Sequence, residues 1–246
     1  MNNLYRVATT ALVCVAGGIA LAQAPSPPDG EGLVAVKARN VDKAYLLPGA
    51  DFRPYRKVIL KSAEVTFQRN WLRDMNSNRT GLTNRVTEGD AMRIVEAARS
   101  EFDPIWADTF RSAGYEVVTV PGADVLQVRP SVVDLFVNAP ATASAGASRS
   151  YTVEAGEATL RLEVRDSRTG TLLGRVSDRR QTARSPRPQL TDQVTNRAEF
   201  GQMFATWARI AVKGLQDLQA SSPLPGKLQP GQKLAPRQGR PGTPSS

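Results

Sequence analysis

The sequence predicts an α+β domain with a largely antiparallel sheet and two main helices packed on one face. Several short segments alternate apolar and polar residues, as half-buried strands do, and Pro, Gly and polar turns separate them. Two longer segments instead repeat their apolar residues at helical spacing. The order along the chain is strands, a helix, further strands and a last helix, and this segregation favours a two-layer α+β arrangement.

Composition divides the 246 residues into four parts. Residues 1–22 predict a signal peptide, residues 23–40 a Pro-rich spacer, residues 41–219 a single α+β domain, and residues 220–246 a disordered basic tail rich in Pro and Gly. The third part is long enough to bury a core of its own. That core forms without disulfides, because the only cysteine of the chain, Cys14, lies in the predicted signal.

The start of the chain carries the pattern of an exported protein. Arg6 precedes an apolar segment at 7–22, which is shorter than the roughly 20 residues of a membrane span and ends in the small-x-small pattern Ala20-Leu21-Ala22. We therefore expect cleavage after this pattern and a periplasmic mature protein. An outer-membrane lipoprotein anchored at Cys14 is the alternative, although Val13 stands where a lipid-modified cysteine needs a small neighbour.

The domain begins with two predicted strands. The segment at 41–47 is stopped by a Pro-Gly pair, and the segment at 57–67 is a longer run of alternating apolar residues. Trp71 follows and is expected to cover one end of the core. Residues 74–84 are polar and predict a loop.

Thr87 predicts the start of the first helix, because Thr87 and Asp90 form a variant of the capping box. Apolar residues then recur at helical spacing, and Gly114 suits the position after the helix end. Pro104 falls inside this pattern, so we expect a kink or a break near residues 102–103.

Four further strands follow the first helix. They are predicted, in order, at residues 115–120, 125–138, 151–165 and 171–180. The second is apolar on both faces and is expected to be central, with a bulge or an edge at Pro130. The third alternates apolar and charged side chains, and a turn at 166–170 joins it to the antiparallel fourth. Residues 139–149 are small and polar and predict a mobile loop.

The last helix is predicted to start near Asn196, which forms a second capping-box variant with Glu199, after a loop at 185–195. Its apolar stripe contains Phe200, Met203, Phe204, Trp207, Ile210, Ala211 and Leu215. A stripe of this kind indicates a helix that packs one side on a core.

The absence of histidine and the loss of Cys14 exclude several chemistries. A Ser-His-Asp triad, a cysteine nucleophile and a histidine-containing zinc site all need residues that the mature chain lacks. The sequence also contains no P-loop, dinucleotide-binding fingerprint or EF-hand loop. We therefore assign no catalytic, cofactor-binding or metal-binding residue, and we expect a protein that is not an enzyme and has no cofactor.

Carboxylate chemistry remains open, because glycoside hydrolysis needs only two acids at a set separation. The candidate acids are Asp74, Glu88, Asp90, Glu101 and Asp103. Their spacing has no special feature, and solvated helix charge explains them better than a catalytic pair does. An enzyme acting on cell-wall glycan is kept as an alternative.

The net charge of the chain is +9, and the predicted tail carries basic residues without any acid. A loose basic run also surrounds Trp71, at Arg69, Arg73, Arg79 and Arg85. This run suits peptidoglycan or anionic lipid, although a solvated loop explains it as well. Three tryptophans are expected in the core rather than in a ligand site: Trp71, Trp106 and Trp207.

Six short segments stand out as a set. They are AYLLPGADFRPYRKV at 44–58, AEVTF at 63–67, RPSVVDL at 129–135, NAP at 138–140, GEATL at 156–160 and DSRTG at 166–170. Together with Trp71 they resemble the bacterial family called domain of unknown function 3313, and the resemblance covers residues 41–218. It implies an exported envelope protein, often described as a lipoprotein, and it implies no established activity and no catalytic residues.

The leading hypothesis is an exported periplasmic or cell-envelope protein with a non-catalytic binding or scaffold domain. Its partner would be another envelope protein or peptidoglycan, and nucleic acid is not expected. Association with a membrane would need the lipid anchor. We expect the docking surface at a sheet edge or in the loop at 139–149.

Overall fold

A computed structural model describes most of the chain between residues 32 and 234. The described residues are 32–77, 85–138, 150–152, 156–182, 189–191 and 193–234. The predicted signal peptide at 1–22 and the predicted loop at 139–149 lie outside them. The α+β class is confirmed, because strands and helices both form within the described part.

Eleven strands and three helices form within this part of the chain. The strands are β1 (Val34–Lys37), β2 (Lys43–Leu46), β3 (Lys57–Leu60), β4 (Glu64–Phe67), β5 (Glu116–Val117), β6 (Val125–Val137), β7 (Ser150–Thr152), β8 (Gly156–Asp166), β9 (Leu172–Gln181), β10 (Gln189–Thr191) and β11 (Gln232–Lys233). The helices are α1 (Trp71–Ser77), α2 (Glu88–Ser112) and α3 (Gln193–Ser221).

Nine strands form one mixed sheet, and β7 pairs with β10 in a separate two-stranded sheet. The order along the large sheet is β11-β1-β2-β9-β8-β6-β3-β5, and β4 also pairs with β6. The strands from β1 through β2, β9 and β8 to β6 pair antiparallel. The pairs of β3 with β5, of β3 and β4 with β6, and of β1 with β11 are parallel.

The prediction of a largely antiparallel sheet is therefore wrong. β3 and β4 precede α2 while β5 and β6 follow it, so the chain passes through a 25-residue helix before it returns to the sheet. A long crossover of this kind joins parallel strands, whereas a tight turn joins antiparallel ones. The tight turn at 166–170, with Gly170 at φ 72°, joins β8 and β9 antiparallel as predicted.

Two predicted strands are divided in the structure, and three short strands, β1, β10 and β11, were not predicted. The run at 57–67 forms β3 and β4, because the Ala63 N–H donates to Asp103 of α2 at 3.0 Å instead of to a neighbouring strand. The run at 151–165 is divided between β7 and β8. β1 lies inside the predicted spacer at 23–40, whose prolines all precede residue 29.

β6 is the central strand, as predicted, and it pairs with β3, β4 and β8. Its register shifts around Asp134, which has φ 53°, and not at Pro130. The ladder between β3 and β6 ends at Val128, and the ladder between β4 and β6 starts at Ser131. Pro130 falls in the gap between these ladders, where a strand tolerates a missing N–H best.

α2 begins as predicted, with the Asp90 N–H donating to Thr87 Oγ1 at 3.1 Å and the Thr87 N–H donating to Asp90 Oδ2 at 2.8 Å. The predicted break at Pro104 is absent, since the helix is continuous. Phe102 and Trp106 lie on either side of Pro104, are buried, and stack with ring centroids 4.8 Å apart. This packing holds the helix together across the missing hydrogen bond.

Other helix boundaries differ from the sequence prediction. The predicted loop at 74–84 begins inside α1, and α3 begins at Gln193, so Asn196 lies in its first turn rather than at its cap. Gly114 does follow α2, with φ 88°. Within the described part of the chain, no helix combines the length and the apolar character that a membrane crossing needs.

The predicted tail at 220–246 belongs in part to the domain. After α3 ends, Leu224 and Leu228 are buried, the Leu224 N–H donates to the Ala50 carbonyl at 2.8 Å, and β11 pairs with β1. Composition predicted disorder from Pro, Gly and charge, but two leucines are enough to fasten this segment to the core. Residues 235–246 lie outside the described part.

One core cluster contains residues of the sheet and of both long helices. Phe102 of α2 meets Phe204 of α3 edge to face, with ring centroids 5.2 Å apart. Trp71, Trp106 and Trp207 are all buried, as predicted. That both helices lie on one face of the sheet stays a prediction.

Candidate functional site

A groove of about 990 Å³ lies between α3 and the sheet. Strands β1, β2, β8 and β9 provide one wall and α3 provides the other. The sheet wall includes Leu46, Leu160, Leu162, Val164 and Val176, and the α3 wall includes Trp207, Ile210, Ala211, Gly214, Leu215 and Leu218. We call this space the groove.

The sheet wall is apolar because β8 alternates. Leu160 and Leu162 are buried and Val164 is partly buried, while Arg161 between them is exposed, as the alternation predicted. Val176 lies opposite Leu162 in register on β9 and is also only partly buried. Apolar side chains on the inner face of central strands are normally covered. Val164 and Val176 therefore mark the part of the sheet that α3 leaves open.

The α3 wall contains a glycine where its stripe would place a large side chain. Trp207, Ala211, Gly214 and Leu218 recur at helical spacing along the groove. Gly214 is exposed, and a Cβ placed on it meets no atom within 4 Å. Glycine in a helix interior costs about 0.5–1 kcal/mol relative to alanine. This position thus keeps space beside the helix at some expense of helix stability.

The rim of the groove is basic. Its exposed basic side chains are Lys37, Arg39, Arg209, Lys213 and Lys233. The first two lie at and just after the end of β1 and Lys233 lies on the adjacent β11, while the other two lie on α3. The acid that lines the described part of the groove is Asp217, which pairs with Lys213 at 2.7 Å. Positive charge is therefore in excess at this rim.

A buried polar contact fixes Trp207 in the wall of the groove. Trp207 Nε1 donates to Asp178 Oδ2 at 2.9 Å, and Arg180 Nε donates to the same oxygen at 2.6 Å. Asp178 is only 3% exposed, and a carboxylate buried to that extent needs such donors. Arg180 also donates to the Asn40 carbonyl at 2.9 Å, which ties the edge of the groove to the same contact. Sequence reasoning missed Asp178, because one acid in a strand gives no signal of burial.

The candidate acids of the first half of the chain serve separate contacts. Asp74 and Glu88 are exposed, while Asp90 is buried and caps α2. No hydrogen bond or ion pair described in the structure joins two of the five candidates. Among the described residues, no group of three or more acidic side chains is placed to hold a metal ion.

Glu101 and Asp103 lie two residues apart on α2 and face different neighbours, as the helical spacing requires. Glu101 pairs with Arg197 of α3 at 3.2 Å. Burial raises the pKa of the Glu101 carboxyl, and the positive charge of Arg197 opposes that rise. Asp103 accepts hydrogen bonds from the Ser62 hydroxyl at 2.5 Å and from the Ala63 N–H at 3.0 Å. Both acids therefore hold α2 to its neighbours.

The basic run around Trp71 is solvated where the structure describes it. Arg69, Arg73 and Arg85 are exposed, and Arg79 lies outside the described residues. Trp71 itself stacks on Phe67 with ring centroids 4.0 Å apart, and its Nε1 donates to the Val137 carbonyl at 3.2 Å. Trp71 is thus part of the core.

A second basic surface lies on the opposite face of the sheet, and we call it the outer sheet face. Lys43, Arg129 and Arg161 are exposed there, on β2, β6 and β8. Between them, Glu163 accepts hydrogen bonds from Arg165 at 2.9 Å and from Arg175 at 2.8 Å. Burial alone would raise the pKa of Glu163, but the two arginines hold it below its ordinary value. Glu163 is therefore charged at neutral pH.

The family model described as Protein of unknown function (DUF3313) matches residues 31–211. The resemblance that the sequence segments predicted is thereby confirmed. The matched range includes every strand of the large sheet except β11, and it ends within α3. A comparison with curated proteins gives no match.

Solved structures that match this chain have low identity to it. A variant PelC dodecamer from Paraburkholderia phytofirmans is 11% identical, with 71% of this chain and 98% of that chain covered and a TM-score of 0.36. A protein of family DUF330 from Xanthomonas campestris is 14% identical, with 75% and 94% covered and a TM-score of 0.36. At these values the likenesses carry no argument about function or assembly.

Proposed function

We propose that this chain, which belongs to the DUF3313 family of proteins of unknown function, is an exported envelope protein that binds a ligand and does not catalyse a reaction. The binding site is the groove, and the ligand is the apolar portion of another envelope component. The single observation that carries this proposal is the groove of about 990 Å³ whose walls are apolar.

Size and lining both support a binding role for the groove. Ligand sites in proteins measure about 300–1,000 Å³ and are mostly apolar, with a few placed polar groups. The groove fits this description, with Arg180 as a polar lining group at one edge. A ligand that covered Val164, Val176 and Ile210 would gain about 25 cal/mol for each Å² of apolar surface removed from water.

Export is the second part of the proposal, and the sequence supports it. Arg6, the apolar segment at 7–22 and the Ala20-Leu21-Ala22 pattern are those of a cleavable signal. The mass of the protein recovered from cells that express the whole sequence tests this. A mature chain that starts at Gln23 is expected. A chain that starts at a lipid-modified Cys14 would replace the periplasmic location with an outer-membrane anchor.

The separate contacts of the candidate acids favour binding over catalysis. Asp90, Glu101 and Asp103 each hold a structural neighbour. An enzyme acting on cell-wall glycan would need two acids that face one substrate bond. Incubation of the protein with purified peptidoglycan tests this alternative, and release of soluble fragments would overturn the non-catalytic proposal.

The test of the groove uses an uncharged apolar dye, N-phenylnaphthylamine, whose fluorescence rises on transfer from water to an apolar site. We expect saturable binding of one dye per chain. Gly214→Leu places a side chain in the open space and should weaken binding at least tenfold. The same change should leave the fold intact, because leucine is a better helix former than glycine by about 0.5–1 kcal/mol.

The matched control for this test is Gln216→Leu, which adds the same side chain on an exposed part of α3 outside the groove. It should bind the dye as the unmodified chain does. Absence of saturable binding would contradict the proposal, and so would equal weakening by the two variants.

A second candidate function is binding of an anionic cell-wall polymer on the outer sheet face. The observation that favours it is the set of exposed cations Lys43, Arg129 and Arg161 on the same face of β2, β8 and β6. Co-sedimentation with peptidoglycan sacculi at low and high salt tests this candidate. Replacement of the three by glutamine should abolish a salt-sensitive interaction, and sedimentation that is unchanged would remove the candidate.

A partner protein in the envelope is tested by affinity capture with gentle crosslinking. Because Leu224 and Leu228 are buried, a chain truncated after residue 219 would lose part of its core. The informative truncation therefore follows Leu234 and removes only residues 235–246. Capture of one defined envelope protein by the full chain and its loss on this truncation would assign the interaction to the end of the chain.

A further inference from the structure

We infer that the ligand of the groove is an anionic phospholipid, with an acyl chain between α3 and the sheet and its headgroup phosphate at the basic rim. This inference rests on the proposed binding function of the groove and names its ligand class. The rim and the interior differ in chemistry, so a molecule that matches both is itself divided into an apolar and a charged part.

The rim supplies charge from two sides of the opening. Lys37, Arg39 and Lys233 are exposed on the sheet side. Among the described residues, none forms a hydrogen bond or an ion pair with these three side chains. Arg209 and Lys213 face the opening from α3. Asp217 offsets only Lys213, to which it pairs at 2.7 Å. An anion placed between the two sides would approach cations on both of them.

The interior accepts a chain rather than a second charged group. Its walls are apolar, and Asp178, the buried carboxylate bonded to Trp207 of the wall, already accepts hydrogen bonds from Trp207 and Arg180. A charged group in the interior would lose its hydration without a free partner. An acyl chain instead gains about fourfold in affinity for each methylene that it buries.

The last residues of this chain, 235–246, do not match the groove. Leu234 lines the groove, and residues 235–246 follow it in the sequence. Their sequence is APRQGRPGTPSS, which contains Arg237 and Arg240 and no large apolar side chain. Two cations would be repelled by the rim, and the small polar residues would not fill the apolar walls. An external amphiphile therefore matches better than the end of the chain.

A phosphate headgroup matches the rim better than a carboxylate does. The rim presents several cations, and arginine and lysine both bind phosphate oxygens through charge-assisted hydrogen bonds. A fatty-acid carboxylate offers fewer oxygens to share among cations on two sides. We therefore expect an anionic phospholipid to bind more tightly than a fatty acid of the same chain length.

The experiment compares three amphiphiles with the same acyl chain, each below its micelle concentration, on the full chain as recovered from cells. They are lysophosphatidylglycerol, lysophosphatidylcholine and the free fatty acid, and displacement of N-phenylnaphthylamine measures binding. We expect lysophosphatidylglycerol to bind about tenfold more tightly than lysophosphatidylcholine at low salt, as three surface charge contacts would give. The ratio of the two affinities should fall toward one at 1 M salt, because the Debye length is then only about 3 Å.

The variant that tests the rim is Lys37→Gln with Arg39→Gln and Lys233→Gln. It should lose the preference for lysophosphatidylglycerol and keep its affinity for lysophosphatidylcholine. The matched control is Lys61→Gln with Arg168→Gln and Lys227→Gln, which removes the same charge from exposed positions that do not line the groove. The control should keep the tenfold preference, because those side chains lie away from the groove.

The outcomes separate this inference from the proposed function. Equal binding of the two lysolipids, or a fatty acid that binds most tightly, would overturn the inference and leave the groove as an apolar binding site. Loss of the preference in the control variant would also overturn it, since net charge would then be the cause. No binding of any amphiphile or of the dye would overturn the proposed function together with the inference.

Discussion

The two long helices meet the rest of the molecule differently. α2 is held mainly by its second half, where Phe102 and Trp106 are buried and Asp103 accepts a hydrogen bond from the backbone before β4. α3 packs on α2 through Phe204, but farther along it Ile210 and Leu218 stay partly exposed beside the groove. The region around Phe102 is therefore closely packed, whereas the second half of α3 lies beside an apolar space and is the region to test for binding.

The largest effect is expected from removing the segment after α3, in which Lys233 and Leu234 line the groove. A chain truncated after residue 219 loses the burial of Leu224 and Leu228 and the pairing of β11 with β1. At about 1.5–3 kcal/mol for each buried leucine, the free energy of unfolding should fall by about 3–6 kcal/mol. Urea denaturation of the purified chains measures it.

The control for that truncation ends the chain after Leu234. It should have the same free energy of unfolding as the full chain, within about 0.5 kcal/mol, since surface changes usually stay within that range. If the two truncations destabilise equally, residues 235–246 contribute to the core and the boundary placed here at Leu234 is wrong.

The next largest effect is expected from the same substitution, leucine to alanine, at a closely packed position and at a position beside the groove. Leu135 on β6 is 1% exposed, whereas Leu218 on α3 lines the groove and is partly exposed. Leu135→Ala should destabilise the protein by about 3 kcal/mol, because it leaves a cavity in packed surroundings. Leu218→Ala should cost about 1 kcal/mol, because the groove already borders it. Equal costs would mean that the groove is closed in solution.

Much of the local structure could be predicted from sequence. The alternation in β8, the capping box of Thr87 and Asp90, and the burial of three tryptophans follow from local patterns of residue type. These patterns report on contacts within an element or with its nearest neighbours, which periodicity encodes. For the same reason the α+β class was correct.

The groove and the mixed sheet could not be predicted in this way. Parallel pairing of β4 with β6 depends on the path of the chain through α2, which no single strand records. The apolar stripe of α3 reads as an ordinary core-facing stripe, and only the position of Gly214 within it hints at a space. The burial of Asp178 likewise depends on Trp207 and Arg180, which are distant or ambiguous in sequence.

A smaller effect distinguishes two buried tryptophans. Trp207 Nε1 donates to the buried carboxylate of Asp178, whereas Trp106 Nε1 is buried without a hydrogen-bond partner among the described residues. Both changes remove the same ring volume from a buried site. Trp207→Phe also removes a donor from the Asp178 carboxylate, so it should cost about 2 kcal/mol more than Trp106→Phe, which removes an N–H without such a bond. Thermal and urea unfolding of both variants measure the difference.

The two tryptophans also differ in their position relative to the groove. Trp207 belongs to the groove wall, so Trp207→Phe should also change dye binding, and Trp106→Phe should not. A reversed order of stability would show that Asp178 finds another donor and that the contact between β9 and α3 is dispensable.

The smallest effect concerns the contact between the two helices. Burial raises the pKa of Glu101 in the folded chain, although Arg197 opposes the rise. A carboxyl with a raised folded pKa binds more protons in the folded state than in the unfolded state. The free energy of unfolding therefore falls as pH rises from the unfolded value, about 4.3, through the raised folded pKa. Glu101→Gln removes this fall, so its stability relative to the unmodified chain should be higher at pH 7 than at pH 4.

Urea denaturation at the two pH values measures this difference, and Arg197→Gln is the matched variant on the facing helix. Without the opposing charge, the pKa of Glu101 should rise further and the fall in stability between pH 4 and pH 7 should become steeper. If Glu101→Gln is instead relatively less stable at pH 7, the ion pair outweighs burial. The ion pair of Glu101 with Arg197 would then hold the start of α3 to α2. The contrast between a closely packed helix and one beside an open groove would in that case apply only to the second half of α3.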